Sequence, residues 1–363
     1  MKRLQDGTLK NFLIPDKPLS HSFFRSVLAV NGKAPYLITG SEMGLSLFNP
    51  LSEKFEDVPY ANGNKIKISH SSVTALYFDR GGVLWVGTKK GMNKFDSYTK
   101  DFESFASINF DQSKSIVTGI QESATQGYWL STIGGGLYKF DGKDAFKAIK
   151  IINKEENDFT QFIQTLYSDV KGNIWVGTAG AGVYHFNEQA KGNQNNITVF
   201  DHYYSHSASP LSDDYVMSLT GDTDGNVLVG TWSGGLFRIG KDKQVRPVNH
   251  PLLKEAPIVV LHLDRSGVIW VGTRGNGFYR IKETNGKVEA KHYIKSSDEQ
   301  TISNNFINAI YEDHAGTLWI GTDGGLNSFD RRTEYFTRHH LEGGPNNDMI
   351  VSILEDDQGK IWL

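Results

Sequence analysis

The side chains best equipped for chemistry in this sequence are one isolated tryptophan and a few polar groups spaced a repeat apart. Trp232 follows a Gly-Thr pair, and so do Lys89 (with Lys90 next to it), Arg274 (with Asn276 close by) and Asp323. A flat indole offers a stacking surface for the apolar face of a sugar ring, and flanking charges and amides offer directed hydrogen bonds. Tyr215, after the acidic pair Asp213-Asp214, is a second candidate wall. Two fates are open to Trp232. Either it stands at the rim of a ligand site with Arg274 and Asp323, or it folds back into the core to replace a missing packing tryptophan at Leu228.

Catalytic and metal patterns are weaker. The sequence holds no Gly-x-Ser-x-Gly elbow, no His-Glu-x-x-His and no phosphate-binding Gly-x-x-x-x-Gly-Lys-Ser/Thr loop. The eleven histidines are scattered, among them His185, His262 and His339-His340. Asp222-Thr223-Asp224-Gly225-Asn226 resembles the start of a calcium loop but lacks the glutamate at position twelve and flanking helices. It reads as a turn. With no cysteine, thiolate chemistry and disulfides are excluded. No cofactor and no metal are expected.

The elements that must position these residues come from a repeat. Trp85-Val86-Gly87-Thr88 recurs as Trp129-Leu130-Ser131-Thr132, Trp175-Val176-Gly177-Thr178, Leu228-Val229-Gly230-Thr231, Trp270-Val271-Gly272-Thr273 and Trp319-Ile320-Gly321-Thr322. Tyr36-Leu37-Ile38-Thr39 reads as a degenerate first copy, and Trp362-Leu363 starts another. The period of about 47 residues is that of a propeller blade. Before most copies stands Asp-x-x-Gly, as at 169–172, 222–225, 264–267 and 313–316. There Asp binds downstream amides and Gly takes a positive φ, which makes a tight hairpin between strands A and B. After each copy come a Gly-rich turn, a strand C ending in Phe or Ile, and a more polar strand D suited to an outer edge.

The expected fold is therefore an all-β, seven-bladed β-propeller of four-stranded antiparallel blades, over residues 1–340. Residues 341–363 add an A strand and the start of a B strand, which close the ring or begin a second propeller. If that tail pairs with the D-like strand at residues 8–13, the count becomes eight. Trp85, Trp129, Trp175, Trp270 and Trp319 are assigned to packing between blades, where truncation of a buried one should cost about 3–5 kcal/mol. B–C and D–A connections share one face of such a fold and vary in sequence, so recognition is expected there. The segment 191–210 reads as the longest connection.

Bulk properties narrow the function. The chain has 38 basic and 41 acidic residues, a net charge of −3, which argues against nucleic acid as a partner. No apolar run reaches membrane-spanning length, and the basic start at Met1-Lys2-Arg3 is not followed by the apolar stretch of a secretory signal. The start and the interrupted array suggest a portion of a longer protein.

The segments Val73–Asp96 and Ile302–Asp330, with Asp-x-x-Gly, Trp, Gly-Thr, Gly-Gly-Leu and Phe-Asp in order in the second, resemble the two-component regulator propeller repeat. The resemblance weakens at the first copy and at Leu228. It implies a periplasmic or extracellular sensor region of a bacterial membrane-anchored receptor, with a histidine kinase or diguanylate cyclase output elsewhere in the protein. A carbohydrate or other small-molecule cue is implied, with a second propeller, other receptor domains or a second copy as partners. On this reading the segment is non-catalytic. A streptogramin-lyase-like or polysaccharide-lyase propeller and a protein-interaction scaffold are the alternatives.

Overall fold

The computed structural model describes residues 2–3, 9–10, 24–30, 36–42, 44–49, 52–56, 68–78, 83–96, 101–104, 116–140, 146–152, 161–169, 171–188, 196–198, 201–207, 210–254, 256–284, 287–339, 349–355, 359 and 361–363. Strands β1 (Lys2–Arg3) and β2 (Leu9–Lys10) open the chain. The first full blade follows with β3 (Phe24–Val30), β4 (Tyr36–Ser41), β5 (Gly44–Asn49) and β6 (Lys54–Glu56), then a second with β7 (Val73–Phe78), β8 (Leu84–Thr88), β9 (Gly91–Asp96) and β10 (Asp101–Ser104). Next come β11 (Ile116–Glu122), β12 (Tyr128–Ile133), β13 (Gly136–Phe140) and β14 (Phe146–Ile152). A fourth group is β15 (Ile163–Ser168), β16 (Asn173–Thr178) and β17 (Val183–Asn187), followed by β18 (Asn196–Thr198) and β19 (Asp201–Tyr203). Then follow β20 (Val216–Gly221), β21 (Val227–Thr231), β22 (Leu236–Ile239) and β23 (Val245–Pro247), a 3-10 turn at Pro251–Leu253, and β24 (Ile258–Leu263), β25 (Ile269–Thr273), β26 (Phe278–Thr284) and β27 (Lys287–Tyr293). The last are β28 (Ile307–Glu312), β29 (Leu318–Thr322), β30 (Gly325–Phe329), β31 (Phe336–His339), β32 (Leu354–Glu355) and β33 (Ile361–Trp362).

The fold is an all-β propeller of blades in A-B-C-D order. Eight sheets form among the described residues: seven are four-stranded and antiparallel, and the sheet of β11 to β14 has a fifth strand, β18, added parallel to β14. One of the seven is composite: β32 and β33 supply strands A and B, and β1 and β2 supply C and D, with Lys2 opposite Trp362. The tail thus pairs with the N-terminal strands, the ending that the sequence reading linked to eight blades. The segment read as one long connection, 191–210, contains β18 and the D strand β19 rather than loop alone.

Two compact units divide the chain, Met1–Val117 with Lys295–Leu363, and Thr118–Ile294. In the first, Trp319 and Leu326 pack on Ile350, Ile353 and Ile361, and Trp362 packs edge-on against Phe48 at 5.4 Å. In the second, Trp129 meets Phe186 edge-on at 5.3 Å. B-strand side chains of one blade thus pack on the next blade throughout this unit, Trp129 against β15 to β17 and Trp175 against β20 to β22. Burying both faces of every B strand is what a sheet too small to be stable alone requires.

Each letter of the repeat has a structural reason. The packing tryptophans are all at most 9% exposed. The Gly that follows makes room for a residue at or near the start of strand A in the next blade: a Cβ on Gly87 would lie 2.8 Å from Val117 Cγ1, one on Gly177 2.7 Å from Val216 Cγ1, and one on Gly321 2.7 Å from Ile350 Cγ2. The Thr is fully buried, and its hydroxyl donates to the carbonyl that closes the B–C turn, Thr88 to Gly91, Thr178 to Gly182, Thr231 to Gly235 and Thr322 to Gly325, at 2.9–3.0 Å. Turn geometry matches expectation at Asp264 and Asp313, whose closing glycines, Gly267 and Gly316, have φ of 80° and 84°. The turn at 79–82 lies outside the described residues.

Register corrects the first copy. Leu37 faces Phe48 as Leu84 faces Phe95, and Ser26 faces Gly40 as Ala75 faces Gly87. The equivalent of Trp-Val-Gly-Thr is therefore Ile38-Thr39-Gly40-Ser41, two residues beyond the expected position. Ser41 Oγ donates to Gly44 O at 3.1 Å, the job that Thr does elsewhere.

Candidate ligand-binding face

The residue that follows the Gly-Thr pair in these blades is tied to the residue that precedes strand A of its own blade. The amide of Lys89 donates to Ser72 O at 3.1 Å, Ala179 to Phe162 at 2.8 Å, Trp232 to Tyr215 at 2.9 Å, Arg274 to Pro257 at 3.0 Å and Asp323 to Phe306 at 3.1 Å. These paired positions set the side chains at one end of the A and B strands. The residue before strand A stands seven before the turn aspartate in each case, as Phe162 does before Asp169 and Tyr215 before Asp222. Phe162, Tyr215, Phe306 and Met349 all occupy it, and all four are among the exposed large apolar residues. Phe162 and Met349 are not among the sequence candidates; the constant offset from the aspartate is the signal that marks them.

Trp232 does not fold back into the core. It is 44% exposed, and so is Tyr215, whereas Leu228 is fully buried against Leu236, Ile258 and Ile269 and fills the packing position by itself. Arg238, opposite Leu228 in the ladder, brings its Nε to 3.1 Å from Asp222 Oδ2, where a tryptophan indole sits in other blades. The platform that carries Trp232 is fixed by Asp213. Its Oδ1 accepts from the Tyr215 amide at 2.9 Å, and its Oδ2 accepts from the Ser233 amide and hydroxyl at 2.6 and 3.0 Å. Ser212 Oγ donates to Gly234 O at 3.1 Å. One carboxylate thus clamps the loop before strand A to the B–C turn. Asp214 ties down the preceding segment by accepting from Ser205 N and Oγ at 2.6 and 2.7 Å.

In the same unit, Arg274 and Asn276 are exposed on the next B–C turn. Asn276 O accepts from His292 Nε2 at 2.6 Å, and that imidazole stacks on Tyr279 at 4.2 Å. The same device recurs at His202, which stacks on Tyr184 and donates to Ala181 O at 2.7 Å. Beside the turn of Trp232 opens a cleft of about 300 Å3, lined by Gly234, Leu236, Pro247 to Pro251, Leu253 and Lys254.

The other candidates belong to the unit of Met1–Val117 and Lys295–Leu363. Lys89 pairs with Glu42 at 3.7 Å. Lys90 donates its amide to Thr88 Oγ1 at 3.1 Å. Partial burial, then the charges of Lys90 and Lys89, push the His70 imidazole below its ordinary pKa. Asp323 accepts from Asn308 Nδ2 at 2.7 Å. The structure therefore joins Trp232 to Tyr215 in one platform, Lys89 and Lys90 to His70 in a basic cluster, and Asp323 to Asn308 and Phe306.

His185 Nδ1 meets Asp201 Oδ2 at 3.0 Å with its ring stacked 4.0 Å from Trp175, and burial lowers its pKa despite that carboxylate. It lies between strands C and D. Among the described residues no group of three His, Asp or Glu is placed to hold a metal ion.

Residues 67–90 and 301–324 match the two-component regulator propeller family. Histidine kinase P4 of Formosa agariphila is 23% identical over 369 residues, which cover 73% of this chain and 26% of the kinase. The Dos1 propeller shares 12% identity with a TM-score of 0.63, covering 94% of this chain and 92% of its own. Virginiamycin B lyase from Staphylococcus aureus shares 14% identity with a TM-score of 0.56, covering 85% and 94%. The extracellular domain of a hybrid two-component system from B. thetaiotaomicron is 22% identical, with a TM-score of 0.42, over 93% of this chain and 44% of that domain. The chain thus spans about a quarter of the curated kinase and under half of that extracellular domain.

Proposed function

We propose that this chain, which carries two-component regulator propeller repeats at 67–90 and 301–324, is the ligand-sensing propeller of a bacterial signalling receptor and that it binds its cue without transforming it. The cue is an oligosaccharide or similar small molecule, met on the B–C and D–A face. The receptor is membrane-anchored with this propeller outside the cytoplasm, and its output domain, a histidine kinase or cyclase, lies elsewhere in the full-length protein. A second propeller or a second copy relays the signal.

The observation that carries the reading is the platform of Trp232 and Tyr215. Large aromatic side chains held exposed by a dedicated carboxylate clamp, in blades whose other B-strand residues are buried, suit stacking on a ligand rather than core packing. The test is a thermal-shift screen of the chain against an oligosaccharide panel, with Trp232→Ala alongside. A ligand at a hundred times its Kd stabilises by about 2.7 kcal/mol, an easily seen shift. A hit that is lost in Trp232→Ala and recovered unchanged supports the sensor. A hit that is consumed supports a lyase instead.

A further inference from the structure

The cleft beside Trp232 has a chemistry of its own. Its floor and walls are apolar and stiff: Leu236, Val248 and Leu253 are at most 6% exposed, and Pro247 and Pro251 fix the backbone on either side of Asn249 and His250. The 3-10 turn at Pro251–Leu253 is closed by the Leu253 amide donating to His250 O at 3.0 Å. Among the described residues, the polar side chains that line the cleft are Asn249, His250 and Lys254, with no carboxylate. Lys254 is exposed and has no ion-pair partner among the described residues. Asp213, before strand A of the same blade, accepts three hydrogen bonds that hold the adjoining turn. The volume, about 300 Å3, is at the small end of ligand sites, which span roughly 300–1,000 Å3.

A ligand that fits both features needs a flat apolar face for the indole on one side and a negative group for the cleft on the other. We infer that the site takes an anionic saccharide, its pyranose ring on the Trp232–Tyr215 platform and its carboxylate or sulfate in the cleft, facing Lys254 and His250. This rests on the sensing role above and narrows its ligand class. Lys254 supplies charge and Asn249 an amide, while Gly234 lets the turn close on Ser212 and Asp213, where a Cβ would lie 2.5 Å from Ser212 Oγ. Uronate and sulfate esters present the same negative oxygens to this pair, so the two sources are separated by experiment.

Titration calorimetry of the whole chain would use digalacturonate, its neutral counterpart galactobiose, and a sulfated chondroitin disaccharide. The expected result is binding of one acidic sugar at least tenfold tighter than galactobiose, with affinity falling as salt is raised. Lys254→Met should remove that tenfold preference, and Trp232→Ala should weaken acidic and neutral sugars alike; both positions are exposed, and unchanged thermal unfolding of each variant confirms its fold. A uronate-only or sulfate-only response identifies the source. Equal affinity for neutral and acidic sugars, sensitive to Trp232→Ala, would overturn the anionic class and leave the sensor standing. Acidic binding untouched by both substitutions would overturn this site. No binding of either acidic sugar overturns the inference, while the panel screen still decides the sensing role.

Discussion

Trp270 Nε1 donates to Asp264 Oδ2 across 2.8 Å, although both residues are at most 2% exposed. The same aspartate folds its hairpin by accepting from the amides of Ser266 and Val268, each at 2.9 Å. The turn and the packing ring, six residues apart, are thus parts of one unit. Trp319 and Asp313 repeat the arrangement at 2.8 Å.

Trp319→Phe keeps most of the ring and removes the donor, leaving a buried carboxylate oxygen unpaired. The expected cost is about 1–3 kcal/mol, read from the midpoint of urea unfolding with an unchanged slope. A loss of under about 0.5 kcal/mol would mean that the indole hydrogen bond is idle.

Glu188 replaces the turn aspartate in the blade of β11 to β14. It reaches back from the end of β17 to accept from Trp129 Nε1 at 2.9 Å, Ser123 Oγ at 2.6 Å and the Ala124 amide at 2.5 Å, with Lys139 Nζ at 3.2 Å. Burial alone would raise its pKa, but these donors outweigh burial and hold the carboxyl below its ordinary 4.5. A depressed carboxyl pKa adds stability above the unfolded-state value, and that stability is lost as pH falls through the folded value. Glu188→Gln should therefore be less stable than the parent at pH 7, with the gap closing below pH 4.5. A gap that widens in acid would contradict this assignment.

Gly321→Ala places a methyl 2.7 Å from Ile350 Cγ2 and 3.0 Å from its carbonyl oxygen. The neighbouring backbone must move, at about 1–3 kcal/mol. Thermal unfolding of this single variant checks whether blade spacing sets the glycine.

Leu228→Ala and Trp232→Ala separate packing from recognition within one strand and its turn. The first empties a fully buried position and should cost about 2–5 kcal/mol. The second removes a side chain that is 44% exposed and should stay within about 0.5 kcal/mol of the parent while abolishing ligand protection. Reversed magnitudes would restore the packing role to Trp232.

The blade pattern was legible because each residue of Trp-x-Gly-Thr answers to a local or next-blade constraint that recurs unchanged. The first copy was misplaced by two residues for the same reason: Ile38 stands where the tryptophan should be, and Tyr36 offers a decoy ring. Strand β18 was hidden because three residues, Asn196–Thr198, gain their strand character from β14, over forty residues earlier. The pairing of Trp232 with Tyr215 depends on a hydrogen bond between segments that only the A–B ladder brings together. Composition could rank Trp232, but it could not place Asp213 as the clamp.

The sheet of β1, β2, β32 and β33 has a kinetic consequence. Every other blade finds its A to D strands within one stretch of chain, so its hairpins can form as soon as they are synthesised. Lys2 and Trp362 meet only after every intervening blade exists. Contacts of such sequence separation form late, because loop closure is unfavourable until the ends are brought close. Until then β1 and β2 are unclaimed edges, and the tail of a neighbouring molecule offers them the same partner as their own. Refolding should therefore show a slow last phase, and raising the protein concentration during that phase should favour exchanged dimers.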